Sequence, residues 1–78
     1  MTEVELKSLI EHGTAIKLVA MPRVHDLVGY TLHIDLGRLA PQELMARRGN
    51  TRVFKKLETI EKLAQMVGAD RFEVVVRR

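Results

Sequence analysis

The chain has 78 residues, with thirteen Lys and Arg against ten Asp and Glu, and no cysteine. That length fits one domain, read as spanning residues 1–78, whose core hides only about 60% of the surface the unfolded chain exposes, a poor host for a deep catalytic pocket. The absent cysteines exclude a disulfide scaffold, a zinc knuckle, an iron–sulfur site and a thiol nucleophile, while a hydrophobic content of 46% is that of a folded domain.

Thr2-Glu3-Val4-Glu5 has the pattern of a capping box, a Thr at the N-cap and a Glu three residues on. Leu6, Leu9 and Ile10 follow at helical spacing, and Gly13 suits the left-handed residue that ends a helix, so a helix is predicted over about residues 3–11. Thr14–Met21 is β-rich, with Ile16, Leu18 and Ala20 on one face, and Pro22 stops it. The segment 23–28 is expected to be a loop. From Gly29 the chain alternates: Tyr30, Leu32, Ile34 and Leu36 against Thr31, His33 and Asp35. A period of two means one buried and one wet face, as in an antiparallel sheet open on one side.

Residues 37–42 contain Gly and Pro and read as a connection. Arg48-Gly49-Asn50 lies between two β-capable runs, Glu43–Arg47 and Thr51–Lys55, which predicts a second, smaller hairpin. A helix over Pro41–Arg47 is the competing reading, since Pro suits a first helical position and Glu, Leu, Met and Ala are good helix formers. Leu57, Ile60, Leu63, Ala64 and Val67 form one helical stripe, closed by Gly68. Arg71–Arg77 alternates again, with Phe72, Val74 and Val76 on the expected core face and Val75 among the polar residues. The fold class is α+β. An antiparallel sheet of four to five strands carries two helices on one face, in the order α-β-β-β-(β)-α-β.

No run approaches the ~18 apolar residues of a membrane span, and the acidic start Glu3, Glu5 is unlike a secretory signal, so a cytoplasmic protein is expected. Charge is unevenly distributed. Residues 1–39 carry four basic and five acidic groups, and residues 40–78 carry nine and five, making a net of −1 and +4 within the overall +3. A pI of 9.7 permits nucleic-acid binding without requiring it.

His33 and Asp35 project from one face of a strand beside Thr31, but two ligands are too few for a structural zinc site. They read as a solvated sheet face, and the His25-Asp26 pair reads as an ordinary loop. His12 suits the negative end of the first helix. The hydroxyls of Thr2, Ser8, Thr14, Thr31, Thr51 and Thr59 stand in no nucleophile-elbow pattern, and there is neither a phosphate-binding P-loop nor a dinucleotide fingerprint. No enzyme activity, cofactor, metal or small-molecule substrate is expected.

The strongest functional candidate is the basic run Arg47, Arg48, Arg52, Lys55 and Lys56, five cations within ten residues around a turn. Gly49 lets the backbone approach a phosphate, and Arg grips phosphate with two donors. Phe54 is expected in the core, and 4% aromatics give no platform for stacking bases. The bland reading of the run is a set of charges guarding a sheet edge. A second candidate is self-association through Met21, Leu27, Val28, Met45 and Val75, apolar residues at expected edges, because a small domain gains core by pairing.

The run Arg48-Gly49-x-x-Arg52-x-Phe54-Lys55-x-Leu57-x-Thr59, followed by Leu63…Val67-Gly68-x-x-Arg71-Phe72-x-Val74, is similar to the partition-associated, ParC-type accessory proteins of plasmids and mobile elements. Leu6…Leu9-Ile10-x-x-Gly13-x-Ala15 also resembles them. The resemblance implies a plasmid-maintenance setting, with DNA or a partition or regulatory protein as partner, and carries over no catalytic residue. Lys56 departs from the pattern, where a small capping residue such as Ser is expected. The order α-β-β-β-α also resembles the double-stranded RNA-binding fold, in topology alone. These readings point to a non-enzymatic accessory that binds DNA or an acidic partner through its basic turn. The alternative is an interaction or homodimerisation module without nucleic-acid affinity.

Overall fold

The computed structural model describes residues 1–24 and 28–76. His25, Asp26 and Leu27, and Arg77 and Arg78, lie outside the described residues. The elements run α1 (Glu3–Glu11), β1 (Lys17–Pro22), β2 (Tyr30–Asp35), β3 (Gln42–Glu43), β4 (Val53–Phe54), α2 (Leu57–Val67) and β5 (Glu73–Val74). This is an α+β fold with a five-stranded sheet.

Helix α1 starts as the capping box dictates. The Glu5 amide donates to the Thr2 hydroxyl, and the Glu5 carboxylate accepts from the Thr2 amide, at 3.3 and 3.2 Å. At its far end the His12 ring nitrogen Nδ1 donates to the Ser8 carbonyl at 2.7 Å. Helix α2 has no such start. Lys56 stands at its N-cap and makes no side-chain capping bond, while Gly68 ends the helix at φ 91° as expected.

β1 and β2 pair antiparallel from Lys17↔Asp35 to Pro22↔Tyr30, six residues against six. Their alternation holds: Leu18, Ala20, Leu32 and Ile34 are buried, and Lys17, Val19, Met21, Thr31, His33 and Asp35 face the other way. The buried side chains join Leu44, Phe54, Leu6 of α1 and Ile60, Leu63, Ala64 and Val67 of α2 in one cluster, against which the half-buried Ile16 and Phe72 pack.

The structure corrects three expectations. First, the sheet is mixed: β5 pairs parallel to β1, Val19↔Glu73 and Ala20↔Val74. β4 is antiparallel to β2 and therefore runs in the direction of β1. A parallel return needs a crossover of about a dozen residues, usually a helix, and α2 with its flanking residues supplies it between β4 and β5. Second, β3 and β4 are not the arms of a hairpin. β3 lies opposite His33 and Ile34, and β4 opposite Tyr30 and Thr31, so both follow the same edge of β2 in the same direction. The Leu44 amide continues the ladder by donating to the Leu32 carbonyl. Residues 42–44 and 53–54 are thus two halves of one edge strand, and residues 45–52 are extruded between them. The expected hairpin shrinks to the single bridge Met45↔Thr51, because the flanking backbone is already committed to β2. The helix over Pro41–Arg47 does not form. Third, the last strand covers Glu73–Val74 only, and Val74 and Val76 are 39% and 78% exposed rather than in the core. Among the described residues β5 is the outermost strand on its side, with no further strand beyond it.

Candidate polyanion-binding loop

The extruded segment is a small loop with a fixed base. The Gly49 amide donates to the Ala46 carbonyl at 2.9 Å, which closes a four-residue turn whose two central positions are Arg47 and Arg48. Central turn residues point away from the chain they reverse, and both arginines are exposed. Gly49 sits at φ 87°, where a side chain is disfavoured, and the reversal lets the Ala46 amide donate to the Asn50 carbonyl at 2.7 Å.

Below the turn the loop is pinned from several directions. The Thr51 hydroxyl donates to Glu43 Oε2 at 2.8 Å, and the Arg52 amide to the Leu44 carbonyl at 3.0 Å. The Met45 amide donates to the Met1 carbonyl at 2.7 Å, so the segment before α1 lies alongside the loop. Arg52 is drawn inward. Its guanidinium donates to Glu3 Oε2 at 3.0 Å and stands over the Phe54 ring, 4.9 Å from the centroid.

The five basic residues therefore fall into three settings. Arg47 and Arg48 are at the loop tip. Arg52 is half-buried at the base with its charge matched by Glu3. Lys55 and Lys56 are exposed beyond β4, at the start of α2, where the helix dipole is positive and the N-cap side chain makes no capping bond. Among the described residues, Arg47, Arg48, Lys55 and Lys56 take part in no ion pair. Lys17–Glu73, Lys62–Glu58 and Arg71–Asp70 are matched at 3.3, 3.6 and 3.5 Å. Phe54 is buried, as expected of a core residue.

Sequence reasoning did not single out Glu3 or Lys7. Both line a groove between α1 and the loop, together with Thr2, Val4, Met45, Ala46, Arg47 and Arg52. The local signal was the i, i+4 spacing of Glu3 and Lys7, which predicts their mutual pairing and says nothing of a loop forty residues away.

The other candidates are placed as follows. Thr31 Oγ1 and His33 Nε2 share a hydrogen bond of 3.0 Å on the open sheet face, and Asp35 accepts from the Gly37 amide at 2.8 Å. Among the described residues no three potential metal ligands cluster. Of the apolar edge set, Val28 and Val75 are exposed and Met21 and Met45 half-buried. No helix among the described residues is long and apolar enough to cross a membrane. Comparison of the chain with protein-family models, curated proteins and solved structures gave no match.

Proposed function

We propose that the protein is a non-enzymatic, nucleic-acid-binding accessory that grips the phosphate backbone through the extruded loop and the start of α2. The observation that carries this reading is the turn that presents Arg47 and Arg48 at its two central positions, unmatched by carboxylates among the described residues. Lys55 and Lys56 extend the positive surface to the uncapped helix start. Arg52 acts as a strut, fixing the loop against α1 and Phe54. Contacts of this kind neutralise phosphates and position the protein without reading base sequence. The resemblance to partition-associated accessory proteins suggests plasmid or mobile-element maintenance as the setting.

The test is fluorescence anisotropy with a labelled mixed-sequence DNA duplex. Each phosphate contact adds a slope of about −0.9 to log affinity against log salt. Four contacts, from Arg47, Arg48, Lys55 and Lys56, give about −3.6, or roughly 150-fold weaker binding on going from about 50 to about 200 mM salt. Absence of binding at the lower salt would overturn the proposal.

One observation favours a second reading. β5 is an open sheet edge with Val74, Val75 and Val76 exposed at 39%, 40% and 78%. Such an edge invites another strand, and a second copy of the chain would supply one. A dimer by light scattering that survives high salt would support it, since an apolar contact is little screened.

A further inference from the structure

We infer that the groove between α1 and the extruded loop seats one strand of the nucleic-acid backbone, with Lys7 as the cation on the wall opposite Arg47. The inference rests on the phosphate-binding reading above and adds to it a residue, a path and a second element. The groove encloses about 570 Å³, within the range of sites that hold ligands. Its lining carries three cations, Lys7, Arg47 and Arg52, and one carboxylate, Glu3. That carboxylate is already engaged. Glu3 and Lys7 have the i, i+4 spacing of a helix ion pair, yet Glu3 turns to Arg52 at 3.0 Å. Lys7 is left exposed and without an ion pair among the described residues. The groove is therefore positive by two charges, one on each wall.

Its other surfaces suit a phosphodiester strand. Val4, Met45 and Ala46 offer an apolar surface to sugar carbons, and the Thr2 side of the groove is polar. Arg47 belongs to both the groove and the loop tip, so a strand leaving the groove continues past Arg48. An acidic peptide would satisfy the charges as well, and it is an outcome of the test.

The experiment uses the full chain and the same duplex titration. With Lys7 as a fifth contact the parent slope becomes about −4.5, and Lys7→Ala is expected to return it to about −3.6, so that the loss of affinity between about 50 and about 200 mM salt shrinks about 3.5-fold. Lys7→Arg should restore the slope, and Lys62→Ala, on a cation matched by Glu58 on α2, should leave it unchanged. Circular dichroism of each variant checks that the fold persists. If Lys7→Ala matches the parent while Arg47→Ala with Arg48→Ala flattens the slope, the groove assignment is wrong and the loop reading stands. If neither change alters binding, both fall. Displacement of the duplex from the parent protein by poly-glutamate at equal charge, with the displaced complex sensitive to Lys7→Ala, would make an acidic peptide the occupant and overturn the inference.

Discussion

Replacing Gly29 by Ala should cost far more than replacing Gly13 by Ala, although both hold positive φ, 107° and 78°. A positive φ alone costs an L-residue roughly 1–2 kcal/mol. At Gly13 nothing lies within 4 Å of where a Cβ would stand, so the cost ends there. At Gly29 the added Cβ would lie 2.7 Å from the Phe54 carbonyl oxygen and 3.2 Å from Val53 Cγ1. The oxygen is backbone of β4, which cannot move without releasing its pairing to Tyr30 and Thr31. Forced repacking of this kind adds about 1–3 kcal/mol. The total for Gly29→Ala is about 2–5 kcal/mol, against roughly 4–12 kcal/mol for a whole domain of this length at 0.05–0.15 kcal/mol per residue. A domain of this size loses about 4–8 °C of Tm per kcal/mol. Thermal melts followed by circular dichroism should place Gly29→Ala at least twice as far below the parent as Gly13→Ala, or find it unfolded. Equal shifts would refute the claim that the β4 backbone is held against the start of β2. That contact matters to the site, because β4 is the return leg of the extruded loop.

Two further predictions concern carboxylates of α1. The Glu5 carboxyl is held below its ordinary value of 4.5, chiefly by the backbone hydrogen bond from Thr2 and then by the Thr2 hydroxyl. A depressed carboxyl pKa stabilises the fold above the ordinary value, and that contribution is lost as pH falls from 4.5 through the lower folded value. Melts across the acid range should show this loss in the parent and a somewhat smaller one in Thr2→Ala, which keeps the backbone donor but loses the hydroxyl and about 0.5–2 kcal/mol of capping at neutral pH; an identical acid response would show that the Thr2 hydroxyl does not help to hold the carboxyl. Glu3→Gln should lower stability by about 1 kcal/mol or less, the value of a half-exposed ion pair. It should also strengthen duplex binding and steepen the salt slope by up to about 0.9, because Arg52 is freed for phosphate. An unchanged or shallower slope would refute the view that Glu3 neutralises Arg52 at the groove.

The parts of the fold that were legible in the sequence are those decided within a few residues. The capping box at Thr2, the stop at Gly68 and the alternation of β2 each depend on local geometry, and each stands where the pattern puts it. The parallel direction of β5 was not legible, because Glu73–Val74 has the same pattern whichever way its partner runs. Its direction follows from α2 crossing the sheet, a relation between elements. The hairpin expected over residues 43–55 is reduced to a single bridge for a related reason. A turn between two β-capable runs looks the same whether the runs pair with each other or share a third strand, and β2 had a free edge to offer both. Lys7 escaped notice because α1 meets the loop through tertiary contacts, among them those of Met1, Thr2 and Glu3, that no local pattern announces.

Edge protection and phosphate binding make different demands on the same arginines. A charge that only keeps a sheet edge from pairing can sit on a loose loop, since like-charge repulsion needs no fixed geometry. Gripping a backbone rewards fixed geometry, because ordering a loop on binding subtracts from affinity. Here the base of the loop is held by named contacts. Thr51 to Glu43, Arg52 to Glu3 and Phe54, and Met45 to Met1 tie its base to three separate parts of the chain. Of the five cations in the basic run, the one at the base is spent on that anchoring and the two at the tip are left exposed. A base with that many contacts is more than a guard requires, and this is the support it lends to the proposed binding role.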